Sequence, residues 1–158
     1  MKYLKLSGFC LLFMLFCAVA SAQNKVPVNE PNYNKPRLFK DLPDQIPVEI
    51  DELKSLIAGT ATTGKDVQLR SSDSKISAFK GKVVSSASKY NNKMKSVVIR
   101  SDEFNGATFT LSSSIQPDGT VKYTGRIISF QHGDLYELEK QNDKYVLVKK
   151  NYYDLINE

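Results

Sequence analysis

From Val67 onward apolar residues fall at every second position, and this period of two constrains the fold more than any other feature of the chain. Val67 and Leu69 alternate with polar neighbours, as do Phe79, Gly81 and Val83, then Val97 and Ile99. Ala107, Phe109, Leu111 and Ile115 point one way while Thr108, Thr110 and Ser112 point the other. Successive side chains of a strand face opposite sides of a sheet, so such a pattern describes antiparallel strands with one face buried and one wet. Turn chemistry divides them: Asn91-Asn92, Asn105-Gly106, Pro117-Asp118-Gly119, His132-Gly133-Asp134 and Gln141-Asn142-Asp143 all tolerate tight or left-handed backbone.

The strand between Thr120 and Phe130 departs from the rule. Val121, Tyr123, Gly125 and Ile127 share one face, yet Ile128 and Phe130 carry the apolar series onto the other. A bulge near Ile127 or burial on both sides accounts for the slip. Two further strands, Leu135 to Lys140 and Lys144 to Lys149, complete the series. The fold class expected is therefore mainly β: an antiparallel meander of about seven strands, a small barrel or a sandwich, preceded by one short helix. That helix follows from Leu53, Leu56 and Ile57 at i, i+3, i+4, with Asp51 expected as N-cap and Gly59 at the end. Two turns are too few to persist unaided, so packing must hold them.

Ahead of the helix, prolines 27, 31, 36, 43 and 47 forbid a helix or a central strand, and residues 23–47 read as an extended arm. Leu38, Phe39, Leu42 and Ile46 suit its second half to pack along the core. Residues 1–22 read as a secretory signal peptide: Lys2 and Lys5, an apolar run from Phe9 to Ala20, and the small residues Ala20-Ser21-Ala22. The run is shorter than the roughly 20 residues that cross a bilayer, and no second run follows. The expected organisation is signal 1–22, arm 23–47 and a single β-rich domain 48–158, exported as a secreted or periplasmic protein with no transmembrane segment in the mature chain.

Cleavage after Ala22 carries consequences for chemistry. Both cysteines, Cys10 and Cys17, leave with the leader, so the mature chain has no thiol for disulfides, zinc thiolates or nucleophilic catalysis. The leader holds two of the 22 basic residues and none of the 17 acidic ones, which leaves the mature chain at +3, its cations scattered. That balance describes a solvated surface and not a nucleic-acid patch. His132 is the sole histidine and is expected to be an exposed turn residue; with Asp134 it supplies two ligands, too few for a metal. No Gly-x-Ser-x-Gly elbow and no phosphate-cradling glycine loop occurs. Glu137 and Glu139 share a strand face, where they form either an acid and base pair or the wet side of an edge strand opposite Lys144 or Lys150; the ion-paired surface is the expected reading. Asp102 and Glu103, beside a turn, read the same way.

Aromatic residues offer the better handle on binding. The mature chain holds seven tyrosines and five phenylalanines but no tryptophan, which counts against a carbohydrate module that stacks sugars on indole. Tyr123, Tyr136 and Tyr145 lie on consecutive expected strands and can form a cross-strand row. With Arg126 they are the expected binding residues; no catalytic residue, metal ligand or cofactor is expected. Tyr152-Tyr153 with Leu155 and Ile156 points to a tail that docks on the body.

Several of these segments carry a likeness. Val48-Glu49-Ile50-Asp51-Glu52-Leu53-Lys54-Ser55-Leu56-Ile57-Ala58, then Val67-Gln68-Leu69 and Phe79-Lys80-Gly81-Lys82-Val83, resemble the start of the β-rich prodomain of secreted reprolysin-like metallopeptidases. Gly106 to Ser112, Tyr123 to Ile127 and Tyr136-Glu137-Leu138 are similar to its repeated strand motifs. Such prodomains can silence zinc through a cysteine, which the mature chain lacks, and precede a domain with a His-Glu-x-x-His helix, which a chain with one histidine cannot form. The resemblance thus implies a stand-alone module that shields, chaperones or binds an exported partner in trans, without peptidase activity.

Together these readings describe an exported, non-catalytic β domain acting by binding a protein partner, through an exposed sheet edge or the proline-rich arm. A small-molecule or glycan binder is the second reading, and a carboxylate-dependent hydrolase the third. The leader is directly testable: intact-mass measurement of the exported protein should place the mature N-terminus at Gln23, and Ala22→Arg should leave the precursor uncleaved.

Overall fold

The computed structural model describes residues 32, 34–59, 62–73 and 77–155. The expected signal peptide and the first part of the arm lie outside the described residues, as does Ile156. Eight antiparallel strands form one curled, half-barrel sheet. They are β1 (Gln45–Val48), β2 (Asp66–Arg70), β3 (Ser77–Lys89), β4 (Met94–Ser101), β5 (Thr108–Ile115), β6 (Val121–Ile128), β7 (Asp134–Gln141) and β8 (Lys144–Asn151). One helix, α1 (Ile50–Gly59), joins β1 to β2, and a short 3-10 helix (Tyr152–Leu155) follows β8. The spatial order is β1-β8-β7-β6-β5-β4-β3-β2. The meander thus comprises β2 to β8, and the end of the extended segment adds β1 beside β8.

A single curled sheet exposes its inner face unless something covers it. Here α1 crosses from the edge at β1 to the edge at β2, and Leu53 and Leu56 bury among Leu69, Phe79, Val83, Val97, Ile99, Phe109 and Leu111. The helix begins two residues earlier than its cap signal suggested. The Glu49 carbonyl accepts the first helical bonds, so Asp51 lies inside the first turn and pairs with Lys54 at 2.8 Å. Near the start of α1 the two sheet edges meet: the Pro47 carbonyl accepts from Ser72 N–H at 2.9 Å and Ser71 Oγ at 3.1 Å. Because that carbonyl points away from β8, so does the proline nitrogen, and its missing N–H costs the ladder nothing.

The turns follow their chemistry. Asn142 and Asp143 both adopt positive φ in the two-residue β7–β8 hairpin, and Asn91, Asn92, Gly106 and Gly119 take left-handed backbone at the other expected turns. Gly81 answers a different need: an added Cβ would fall 2.0 Å from the Arg100 carbonyl oxygen on β4. The parity slip in β6 is not a bulge, since β5 and β6 pair in unbroken register from Val121 to Ile128. Its cause is burial on both sides at the Ile128 end, where Ile128 pairs with the buried outward-facing Leu135. Register shifts occur instead between Leu69 and Arg70 and between Val83 and Ser85.

The arm is part of the body from Lys35 onward. Asp134, buried at the start of β7, accepts from Leu38 N–H at 2.7 Å with one carboxylate oxygen and from Phe39 N–H at 2.9 Å with the other. This holds the Phe39 ring against Phe104 and Tyr136, each with its centroid 5.2 Å away. Lys149 reaches the Leu42 carbonyl, the Tyr136 hydroxyl donates to Pro43 O, and Gly133 N–H donates to Pro36 O at 3.0 Å. The tail docks at the same end: Tyr152 N–H donates to Gly133 O at 2.8 Å, and its ring meets Phe130 and lies under Lys35 Nζ. No helix among the described residues is long and apolar enough to cross a membrane. Asp134→Asn, which sets a donor against one of two buried N–H groups, should cost about 2 to 3 kcal/mol. Phe39→Ala should cost about 3 to 5 kcal/mol; urea unfolding of each variant checks both.

Candidate functional site

Ladder pairing between β6 and β7 is confined to Arg126 with Glu137, Ile127 with Tyr136 and Ile128 with Leu135. Both strands are eight residues long. Beyond Arg126 they part, although β6 remains paired with β5 and β7 with β8 along their whole lengths. The seam opens into a cleft of about 850 Å³ lined by residues of both strands, the β5–β6 turn and β8. Tyr123, Tyr145 and Leu138 line it from the inner face; Thr124, Lys122, Glu139 and Lys150 line it from the outer.

The direction of the backbone groups follows from the ladders. Gln116 N–H donates to the Thr120 carbonyl, so in the antiparallel β5–β6 pair Lys122, Thr124 and Arg126 direct their N–H and C=O groups to β5. Those of Val121, Tyr123 and Gly125 therefore point into the seam. On the other side, Lys149 N–H bonds Asp44 on the β1 side, which turns the groups of its partner Tyr136, and those of Leu138 and Lys140, toward β6. The Tyr145 side chain crosses from β8 beneath β7 and its hydroxyl accepts from Tyr123 N–H at 3.1 Å. The two tyrosine rings meet edge to face with centroids 5.6 Å apart. A side chain thus occupies the place of a ladder partner.

On the outer face an ion-paired chain spans the point where the seam begins. Arg126 donates to Glu137 Oε1 through Nε at 3.0 Å and Nη2 at 2.8 Å. Lys150 lies between Glu137 Oε2 and Glu139 Oε1, 2.7 Å from each, and Gln141 donates to the other Glu139 oxygen. Burial pushes the Glu137 carboxyl up, but hydrogen bonds from Lys150 and Arg126 outweigh it and leave it below its ordinary value. The Lys150 hydrogen bond lowers Glu139 as well, and those two carboxylates raise Lys150. Burial raises both Tyr123 and Tyr136.

The expected row of three tyrosines does not form a single surface. Tyr123 and Tyr145 come together at the seam, Arg126 stands at its apex, and Tyr136 turns to the other end to hold the arm. Lys150, and not Lys144, faces Glu137 and Glu139; β7 lies inside the sheet, though half of its length behaves as an edge. His132 is half-buried instead of exposed, its Nδ1 2.8 Å from Ser129 Oγ, and Asp134 is committed to the arm. Among the described residues no group of three or more histidines or carboxylates is placed to hold a metal. Asp102 and Glu103 sit in the β4–β5 turn, exposed. Sequence reading missed Lys122, Thr124 and Leu138, because alternation assigns a side chain to a face and says nothing of the distance between neighbouring strands. The chain matches no protein-family model, no curated protein and no solved structure.

The ion-paired chain predicts a pH profile. Glu137 and Glu139 are depressed, so their contribution to stability is complete above the unfolded carboxylate value of about 4.3 and disappears as pH falls through their folded values. Lys150 is raised, so its contribution is complete below about 10.4 and disappears as pH rises through its folded value. Lys150→Met should flatten both limbs of the urea midpoint against pH, and its penalty at neutral pH should shrink in acid; curves parallel to wild type would contradict the assignment.

Proposed function

We propose that this protein is an exported, non-catalytic domain that works by binding another protein at the open β6–β7 seam. The observation that carries the reading is the pairing itself: two neighbouring strands share three residue pairs and then leave their facing backbone groups to the cleft. Unpaired strand edges are recognition surfaces, and elsewhere this sheet limits them. β1 has four residues, one of them Pro47, and β2 has five. Five residues of β6 and four of β7 are open at the seam, beside buried tyrosines that offer apolar contact.

Export is supported by the leader-like residues 1–22, and the absence of catalysis by a mature chain with one histidine, no cysteine and a pair of glutamates engaged by Lys150 and Arg126. The proposed localisation is secreted or periplasmic. The likeness to a metallopeptidase prodomain fits the same reading as a module that binds an exported partner in trans. A small-molecule site is the second reading, favoured by the cleft volume, which falls within the range of ligand pockets.

Thr124 is exposed on the outer lip, so Thr124→Trp should fill the seam without touching the core. Crosslinked capture from the native envelope by the mature protein should be lost with Thr124→Trp and kept with Arg100→Trp, an exposed site on β4. Capture that is indifferent to Thr124→Trp would refute the seam as the binding site.

A further inference from the structure

Resting on the seam as the binding site, we infer that its ligand is an extended polypeptide segment that adds as a strand to the free edge of β6, displacing the Tyr145 hydroxyl from Tyr123 N–H. Val121 and Tyr123 on β6 direct both N–H and C=O into the cleft, and Gly125 adds its N–H, its carbonyl being taken by Leu138 N–H where the Arg126 and Glu137 pair closes the ladder. A row of alternating donors and acceptors at strand spacing is complemented by another polypeptide backbone and by few other molecules. The Tyr145 oxygen, 3.1 Å from Tyr123 N–H, stands where the carbonyl of an added strand would stand. It keeps a buried donor satisfied while the seam is empty and can be exchanged for a better acceptor without leaving that donor bare.

Geometry selects one lip. At Arg126 and Glu137 the strands are ladder partners, one strand spacing apart, about 4.8 Å. A strand bonded on both sides would need about twice that along its whole length. The wedge therefore admits a strand on a single edge, and β6 offers the longer one. The incoming side chains would alternate between the apolar inner wall of Tyr123, Tyr145, Leu138 and exposed Val121 and the charged outer lips, Lys122, Glu139 and Lys150. An alternating apolar and polar segment is the class of sequence that fits.

The probes are linear dodecapeptides selected from a random display library against the mature protein, each resynthesised with single backbone N-methyl groups. Affinity should fall about tenfold at every second position and little between them, because only alternate N–H groups face β6. Val121→Pro, which removes a seam-facing donor at the first residue of the strand, should weaken binding about tenfold. Tyr145→Phe should tighten binding several-fold, since the placeholder no longer competes; a merely structural Tyr145 would lower the unfolding midpoint and leave affinity unchanged or weaker. A flat N-methyl profile, with binding still lost in Thr124→Trp, would overturn strand addition and leave the seam reading intact. Peptides that bind Thr124→Trp as well as wild type would overturn both, and a library that yields no binder would overturn strand addition.

Discussion

The Asp134 carboxylate, buried at the start of β7 and divided between the Leu38 and Phe39 amides, determines what the rest of the sheet can do. A curled sheet without a second layer needs its open end stopped, and Phe39 does so between Phe104 and Tyr136. A free carboxylate would pay heavily for leaving water, but one that accepts a hydrogen bond on each oxygen is retained, and it orders the chain that donates them. Around it the Ser129–His132 turn, the Pro36 carbonyl and the tail all converge on the same end of β6 and β7. That end is therefore pinned.

Among the described residues the opposite end carries no such clamp, and there the strands diverge. β6 continues with β5 and β7 with β8, so the sheet behaves as two halves joined at three residue pairs. Backbone groups that face a gap must find water, a side chain or a ligand. Tyr145 supplies a side chain at one of them, and the Glu137, Lys150 and Glu139 chain holds the outer surface. The same physics that makes a free strand edge hazardous makes it useful when it is recessed within the sheet and bordered by charge.

Much of this was legible in the residues. The alternation from Val67 to Lys149, the asparagine and glycine turns, and the apolar positions of the arm identify the strands and the faces they bury, because a side-chain period of two follows from the backbone itself. The Ile127 and Ile128 slip was visible too, but not its cause: burial on the outer face depends on what packs there, which is Leu135. Tyr123, Tyr136 and Tyr145 were legible as a row on three successive strands, with Arg126 on the first of them, whereas the departure of Tyr136 from that row depended on Phe39 and Pro43, more than ninety residues away.

Local chemistry, then, determined the class of fold, the turns and which residues face inward, since each depends on contacts close in sequence. Only the tertiary structure decided where the sheet comes apart. β6 and β7 stay paired at the end where Asp134 holds the arm and part beyond Arg126, while α1 packs across the inner face. Those constraints act between segments far apart in the chain, so no window of residues contains them.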